Sequence, residues 1–182
     1  MDNTTQPTSS SESMKLKTEK LATESSAART TNVMPMKSSS FIDGTAIPRK
    51  YSREGENISP SLTWSDVPGE SKELVLICED PDVPSDEAYV HWIVYGISPQ
   101  ISSLAEGVKP ITGAKKGINS DGTLDYTGPM PPEAHGQHNY YFQLFAVNSE
   151  LRVKEEPSRN DLLQAMAGRV IASWKLVGTY ER

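Results

Sequence analysis

Two segments of the sequence are apolar on both faces of an extended chain, and they constrain the fold more than any other feature. Residues 74–79 read Leu-Val-Leu-Ile-Cys-Glu, and residues 140–147 read Tyr-Tyr-Phe-Gln-Leu-Phe-Ala-Val. A strand without a polar face must be covered on both sides, so each segment is predicted as an internal strand of a sheet. Cys78 lies within the first strand, and burial is a better interpretation of it than a reactive thiol.

Residues 89–97 are predicted as a third strand whose side chains alternate between two faces. One face has Tyr89, His91, Ile93 and Tyr95, and the other has Val90, Trp92 and Val94. His91 is therefore expected in apolar surroundings. Two interpretations stay open: a core histidine that bonds a backbone carbonyl, or a functional histidine close to the aspartates that precede this strand.

The remaining patterns indicate a mainly β fold of antiparallel strands with one late helix. Residues 57–64 and 170–177 are extended segments with alternating apolar positions. Residues 157–167 combine N-cap candidates with an apolar helix face, and Gly168 is the expected stop. Residues 100–122 are predicted as a polar, irregular excursion over the surface.

The beginning of the chain predicts a disordered tail over residues 1–36, followed by one domain over residues 37–182. Residues 1–40 contain 16 Ser or Thr and no aromatic residue. Such a composition buries too little apolar surface to offset chain entropy. Order is expected to begin near Phe41.

Charge and hydropathy exclude several classes of function. The formal net charge is −6 and Lys and Arg form no stripe, which argues against nucleic-acid binding. No run of 18 apolar residues and no secretory signal core occurs, so a cytoplasmic protein without a membrane span is predicted. The single cysteine allows neither an internal disulfide nor a cysteine metal cage.

A proline-rich loop over residues 126–138 leads into the strand at 140–147. Pro129, Pro131 and Pro132 fix φ and remove three backbone donors, whereas Gly128 and Gly136 permit positive φ. A rigid loop of this kind is either the wall of a binding site or a structural corner.

Polar side chains follow two of the predicted strands. Asp80 and Asp82 come after residues 74–79, and His138 and Tyr140 end the proline loop. With His91, these groups would form a site of two carboxylates, two imidazoles and a phenol. Imidazolium and free backbone N–H groups suit an anion such as phosphate. One aspartate is expected to pair with His91, and binding to depend on pH near 6–7.

Three other chemistries compete with anion binding. His135 and His138 with the aspartates could hold a metal, although the pair does not have helical spacing. Asp80 and Asp82 could act as paired carboxylates in a glycosidase. A serine hydrolase would need a G-x-S-x-G elbow, which is absent from the sequence. A hydrolase acting through the Asp, His and Tyr groups is the alternative to a binding protein.

Taken together, the motifs resemble the phosphatidylethanolamine-binding protein family in its bacterial and archaeal, Raf-kinase-inhibitor-like branch. The resemblance covers about residues 37–182. The matching pieces are Asn57–Trp64, Asp80–Pro84, Val90–Trp92, Tyr126–Pro132, His138–Tyr140 and Leu176–Arg182.

The resemblance implies two antiparallel sheets with peripheral helices and a pocket for phosphate or phosphorylated head groups. It implies a binding protein without catalytic residues, metal or cofactor. A kinase or protease partner and a homodimer are further implications. The ligand-binding residues it implies are Asp80, Asp82, Pro84, His91, Tyr126, Gly128, Met130, Pro131, Pro132, His138 and Tyr140. By position, the backbone N–H of Met130 would donate to the anion.

Some residues depart from the family pattern. Arg53 and Met130 stand where many bacterial relatives have cysteine, and Asp121 and Asp125 add negative charge near the loop. Added acid should weaken the binding of a strongly charged anion.

Overall fold

The structure, a computed structural model, describes residues 20–109 and 112–182. Within these residues it has nine strands, one α-helix and two 3₁₀ turns, at Ala22–Glu24 and Arg49–Tyr51. The strands are β1 (Met36–Lys37), β2 (Thr45–Ala46), β3 (Leu62–Trp64), β4 (Glu73–Asp80), β5 (Tyr89–Ile97), β6 (Ser103–Leu104), β7 (Lys115–Lys116), β8 (His138–Val147) and β9 (Val170–Tyr180). The helix, α1, spans Arg159–Met166.

The strands form two sheets. The larger has six strands in the order β2-β9-β8-β4-β5-β7, and the smaller has three in the order β1-β3-β6. All pairs of these strands are antiparallel except β2 with β9. The prediction of a mainly β fold with two sheets and a late helix is confirmed.

The large sheet is covered on both faces, which explains why its central strands have no polar face. On one side, Leu76 and Phe142 pack in the same cluster as Leu62 of the small sheet. On the other side, Ile77 and Phe145 pack with residues of α1. All eight residues of β4 are buried, and the predicted burial of Cys78 is confirmed.

Helix α1 begins and ends as its sequence predicts. Ser158 is the N-cap and exchanges hydrogen bonds with Asp161 in a capping box. The apolar face of the helix is buried, through Leu162, Leu163 and Met166. Gly168 then takes φ +72°, which suits a glycine after the last turn.

The predicted tail is too long, because residues 20–36 pack against the domain. Leu21, Ala22, Ala28 and Met34 are fully buried. The segment has few apolar side chains, but those it has contact an apolar surface that a local composition argument does not include. Residues 1–19 of the predicted tail lie outside the described residues.

The excursion predicted as irregular contains two short edge strands, β6 and β7. Each has only two residues, so no strand period is visible in the sequence. Residues 110–111 of this stretch lie outside the described ranges. Of the helices that the structure describes, none is long and apolar enough to cross a membrane.

Candidate functional site

The ends of three central strands lie side by side at one end of the large sheet. Asp80 ends β4 and pairs with Tyr89 at the start of β5. On its other side, β4 runs antiparallel to β8, with Glu79 opposite Tyr141. His138, at the start of β8, therefore lies at the same end of the sheet as Asp80. The proline loop precedes β8, and together these elements enclose a cavity of about 250 Å³.

Eight of the eleven predicted binding residues line this cavity: Asp80, His91, Gly128, Met130, Pro131, Pro132, His138 and Tyr140. Three residues that were not predicted to bind also line it: Arg53, Val83 and Tyr89. The predicted residues Asp82, Pro84 and Tyr126 do not line the cavity. The convergence expected of the two strand ends therefore occurs, whereas a role in binding stays a prediction for each residue.

Asp80 pairs with His138 at the base of the cavity. The Nδ1 atom of His138 lies 2.7 Å from Oδ2 of Asp80, and both side chains are at most 5% exposed. The other carboxylate oxygen accepts the backbone N–H of Asp82 at 2.8 Å. Burial raises the pKa of the Asp80 carboxyl above its ordinary value, although these two hydrogen bonds act in the opposite direction. The expected pairing of an aspartate with His91 is wrong.

His91 is the extra residue of a β-bulge. Trp92 lies opposite Cys78 and Val90 opposite Glu79, which leaves His91 without a partner in β4. The bulge interrupts the predicted alternation of faces. Trp92 packs between the sheets, whereas Val90 joins Ile93 and Tyr95 on the helix side.

The imidazole of His91 is neutral at neutral pH. Its Nδ1 lies 2.8 Å from the carbonyl oxygen of Thr127, which can only accept, so Nδ1 carries the proton and Nε2 has a lone pair. The ring packs against Tyr89 and Tyr140, with centroid distances of 4.9 and 5.1 Å. Burial lowers the pKa of His91 to about 4. His91 is thus a histidine that bonds a backbone carbonyl, as one of the two interpretations predicted. Its side chain also lines the cavity.

The proline loop is fixed at several points. The Thr127 N–H donates to the backbone carbonyl of His91 at 3.1 Å, and the Gly128 N–H donates to Oδ1 of Asn57 at 2.8 Å. Gly128 does not have positive φ. Glycine is needed there because a methyl group would overlap the Tyr51 carbonyl oxygen. Gly136, in contrast, takes φ +79° as expected.

Arg53 and Tyr89, which both line the cavity, share one carboxylate, that of Asp121. Arg53 Nη1 lies 3.4 Å from Oδ2 of Asp121, and the Tyr89 hydroxyl donates to the other oxygen of the same carboxylate. Burial and this hydrogen bond raise the pKa of Tyr89 to about 12. Asp121 is thus partly neutralised by its neighbours, which reduces the repulsion expected from its charge.

Of the three predicted residues outside the cavity lining, two form hydrogen bonds within the protein and one is exposed. Asp82 accepts both the backbone N–H and the side-chain amide of Asn139, each at 2.8 Å. The Tyr126 hydroxyl donates to the Tyr51 carbonyl at 2.9 Å, so the phenol is not available to a ligand. Pro84 is exposed in the connection between β4 and β5.

Two of the residues that were not predicted to bind have a partial signal in the sequence. Tyr89 shares a predicted strand face with His91, and Arg53 departs from the family pattern. Their approach depends on chain segments that are distant in sequence. His135 is the histidine next to His138, with ring centroids 6.3 Å apart. Within residues 20–109 and 112–182, no three His, Cys, Asp or Glu side chains are grouped so as to hold a metal ion.

The chain is similar to proteins of several bacteria and archaea. A UPF0098 protein of Methanothermobacter thermautotrophicus is 43% identical over 153 residues, which cover 82% of this chain and 99% of the relative. A putative phosphatidylethanolamine-binding protein homolog from Chlamydia trachomatis, known as a crystal structure, has a TM-score of 0.77 and 47% identity over 84% of this chain and 99% of that chain.

Escherichia coli YbcL, described as a new member of the mammalian phosphatidylethanolamine-binding protein family, has a TM-score of 0.76 and 28% identity. The similarity covers 82% of this chain and 98% of YbcL. The family model described as phosphatidylethanolamine-binding protein matches residues 37–181, which include every strand except Met36 of β1 and every side chain that lines the cavity. By fold and by sequence, this chain therefore belongs to the phosphatidylethanolamine-binding protein family.

Proposed function

We propose that the chain is a binding protein whose cavity takes a small anion, either phosphate or a phosphorylated head group. The observation that carries this proposal is the buried pair of Asp80 and His138 at the cavity wall. Because Nδ1 of His138 bonds the carboxylate, a protonated imidazole has one further donor, its Nε2–H. The negative charge of Asp80 is then offset within the pair.

Two further donors support an anion. The guanidinium of Arg53 lines the cavity. It also forms an ion pair with Asp121, in which Nη1 lies 3.4 Å from Oδ2. The Met130 N–H has no hydrogen-bond partner among residues 20–109 and 112–182. A backbone N–H without a protein partner next to a cationic group suits a phosphate oxygen.

The neutral His91 selects among phosphate species. Its Nε2 can only accept a hydrogen bond while the pKa of the ring stays near 4. A P–OH group can donate to it, whereas a fully deprotonated phosphate cannot. With Asp80 and Asp121 close by, the site favours a singly charged phosphate over a dianion. The cavity of about 250 Å³ is also below the ~300–1,000 Å³ typical of drug-sized ligands, which fits a small head group.

Calorimetric titration with phosphate and with phosphoethanolamine tests the proposal. Titrations at about pH 5.5, 6.5 and 7.5 bracket the second pKa of a phosphomonoester, near 6. We expect both ligands to bind most tightly at the lowest of these pH values. At that pH the singly charged ligand predominates, and its P–OH group can donate to Nε2 of His91.

A pair of histidine variants provides the control. His138→Gln removes the imidazole that pairs with Asp80 in the cavity, while His135→Gln changes an exposed histidine of the same loop. We expect the first variant to lose binding and the second to keep it, with both folded by circular dichroism. Absence of heat with both ligands, or equal affinity of His138→Gln and the unmodified protein, would refute the proposal.

A hydrolase is the second candidate, and one observation favours it. A carboxylate that orients an imidazole, as Asp80 does for His138, is the arrangement of a general base. Against it, the residues that line the cavity include no Ser, Thr, Cys or Lys nucleophile, so the base would have to activate water. Turnover of phosphoesters or carboxylic esters that disappears in Asp80→Asn would establish this function, and no turnover above the buffer rate would exclude those substrates.

The protein partner and the homodimer that the family resemblance implies are separate proposals. Light scattering of the purified chain measures the second directly, and a monomer at all concentrations would exclude it. A kinase or protease partner is tested by inhibition of a defined enzyme, with His138→Gln deciding whether the cavity takes part.

A further inference from the structure

The N-terminal segment, residues 20–28, is built into the buried layer behind the candidate pocket. Leu21 and Ala22 are fully buried, and Ala22 and Ala28 pack in the cluster on the helix side of the large sheet. The Ala22 N–H donates to Oε2 of Glu79 at 2.8 Å, and the Thr23 N–H donates to Oε1 of Gln143 at 2.9 Å. Glu79 and Gln143 lie on β4 and β8, so the segment is hydrogen-bonded to the two strands that carry Asp80 and His138.

Arg159 fixes the start of this segment. Its Nη2 donates to the Lys20 carbonyl at 2.5 Å, and its Nε pairs with the fully buried Glu79 carboxylate. Glu79 thus accepts from both the helix and the segment. The backbone of Lys20 is therefore held relative to β4 and α1.

The side chain of Lys20 reaches the connection between β4 and β5. Its Nζ lies 2.6 Å from the carbonyl oxygen of Ser85, 3.1 Å from that of Val83 and 3.4 Å from that of Pro81. An ammonium group has three N–H donors, which matches three acceptors. The acceptors belong to alternate residues of a stretch in which two prolines disfavour helix, so their carbonyls can face the same side.

The same connection is held on its pocket side by acidic residues. Asp82 accepts two hydrogen bonds from Asn139, and Asp80 pairs with His138. Val83, whose carbonyl bonds Lys20, also lines the cavity. Residues 80–85 thus lie between the ammonium on one side and the start of β8 on the other.

We propose that Lys20 is a positioning residue for the anion pocket. By holding three carbonyls of the β4–β5 connection, it keeps Asp80 and Val83 where His138 and the ligand require them. This inference rests on the proposed function for the part that concerns the anion. Lys20 lies outside residues 37–181, which the family model matches, so this chain adds support from beyond the family domain.

Calorimetric titration with inorganic phosphate measures the effect of Lys20 on the affinity of the pocket. Lys20→Met removes all three hydrogen bonds but keeps much of the side-chain length, whereas Lys20→Arg keeps a cationic donor. Lys175→Met is the matched control, because Lys175 contacts the same segment through Glu24 at 2.6 Å but not the connection. We expect Lys20→Met to weaken binding by about fivefold or more, since hydrogen bonds to a charged group are involved.

The arginine variant should restore most of the affinity, and the Lys175→Met control should bind as the unmodified protein does. Equal affinity of Lys20→Met and the unmodified protein would overturn the inference. An equal loss of phosphate affinity in Lys175→Met would also overturn it, because the cause would then be a general loosening of residues 20–28.

Hydrogen exchange without ligand separates this inference from the proposed function. We expect amides of residues 81–88 to exchange about tenfold faster in Lys20→Met, with exchange in β9 unchanged. If the unmodified protein binds no phosphate, the proposed function fails, while faster exchange at 81–88 still supports positioning of the connection by Lys20. Unchanged exchange at 81–88 in Lys20→Met overturns the inference whatever the ligand result.

Discussion

Burial of the His91 imidazole makes the stability of the protein depend on pH. Burial lowers the pKa of this ring from its ordinary value of 6.5 to about 4 in the folded chain. Between these values the unfolded chain binds a proton that the folded chain does not. The free energy of unfolding therefore falls as the pH drops below 6.5, and the loss is complete near pH 4. A shift of this size corresponds to about 3 kcal/mol, at ~1.4 kcal/mol for each pH unit.

The comparison of the unmodified protein with His91→Asn isolates this contribution. Asparagine keeps an N–H donor for the Thr127 carbonyl but does not titrate. Other groups also titrate in this range, among them Asp80, whose pKa is raised, but the two proteins share them. We expect the stability advantage of the unmodified protein over the variant to shrink by about 3 kcal/mol between neutral pH and pH 4.

Urea unfolding followed by tryptophan fluorescence, at several pH values across this range, measures the difference. His135→Asn reports the effect of replacing a histidine at an exposed position of the proline loop. If the unmodified protein and His91→Asn lose the same free energy between neutral pH and pH 4, the reasoning from burial is refuted. An NMR titration that gives His91 its ordinary pKa would refute it as well.

Two further predictions concern packing and buried charge. Gly128→Ala should destabilise the protein by about 2 kcal/mol or more, because the added methyl group overlaps a main-chain carbonyl, whereas Gly69→Ala, with open space around it, should be close to neutral in thermal unfolding. Arg159→Met should destabilise it by roughly 3–5 kcal/mol, because the buried Glu79 carboxylate loses its cation. Arg182→Met, which breaks a 3.7 Å pair with a carboxylate that is 84% exposed, should change the free energy of unfolding by less than about 1 kcal/mol. Equal effects of the two arginine variants would contradict the argument from burial.

The elements with a strong local signal could be predicted from the sequence. Residues 74–79 and 140–147 are apolar on both faces because β4 and β8 lie inside a sheet that is covered on both sides. Helix α1 has its capping residues and its apolar face within ten residues of sequence, so its limits could be read directly. The edge strands β6 and β7 could not, because two residues carry no period.

Most of the residues that line the candidate pocket were expected to lie together, but their pairings were not. Asp80, His91 and His138 were all expected at one site, and they line one cavity. The carboxylate nevertheless pairs with His138, because the β-bulge at His91 turns that imidazole toward Thr127. A bulge depends on the register between two strands, which no single strand encodes.

Neighbouring residues are enough to encode the longer strands, the helix, the rigid proline loop and the chemistry of the groups at the strand ends. Folding brings Arg53 and Tyr89 to the cavity, keeps the buried His91 neutral, and packs residues 20–28 behind the β4–β5 connection. These features depend on desolvation and on contacts between segments 30 to 140 residues apart, such as Lys20 with Ser85 and with Arg159. Burial and partner choice are properties of the folded environment, and local composition does not contain them.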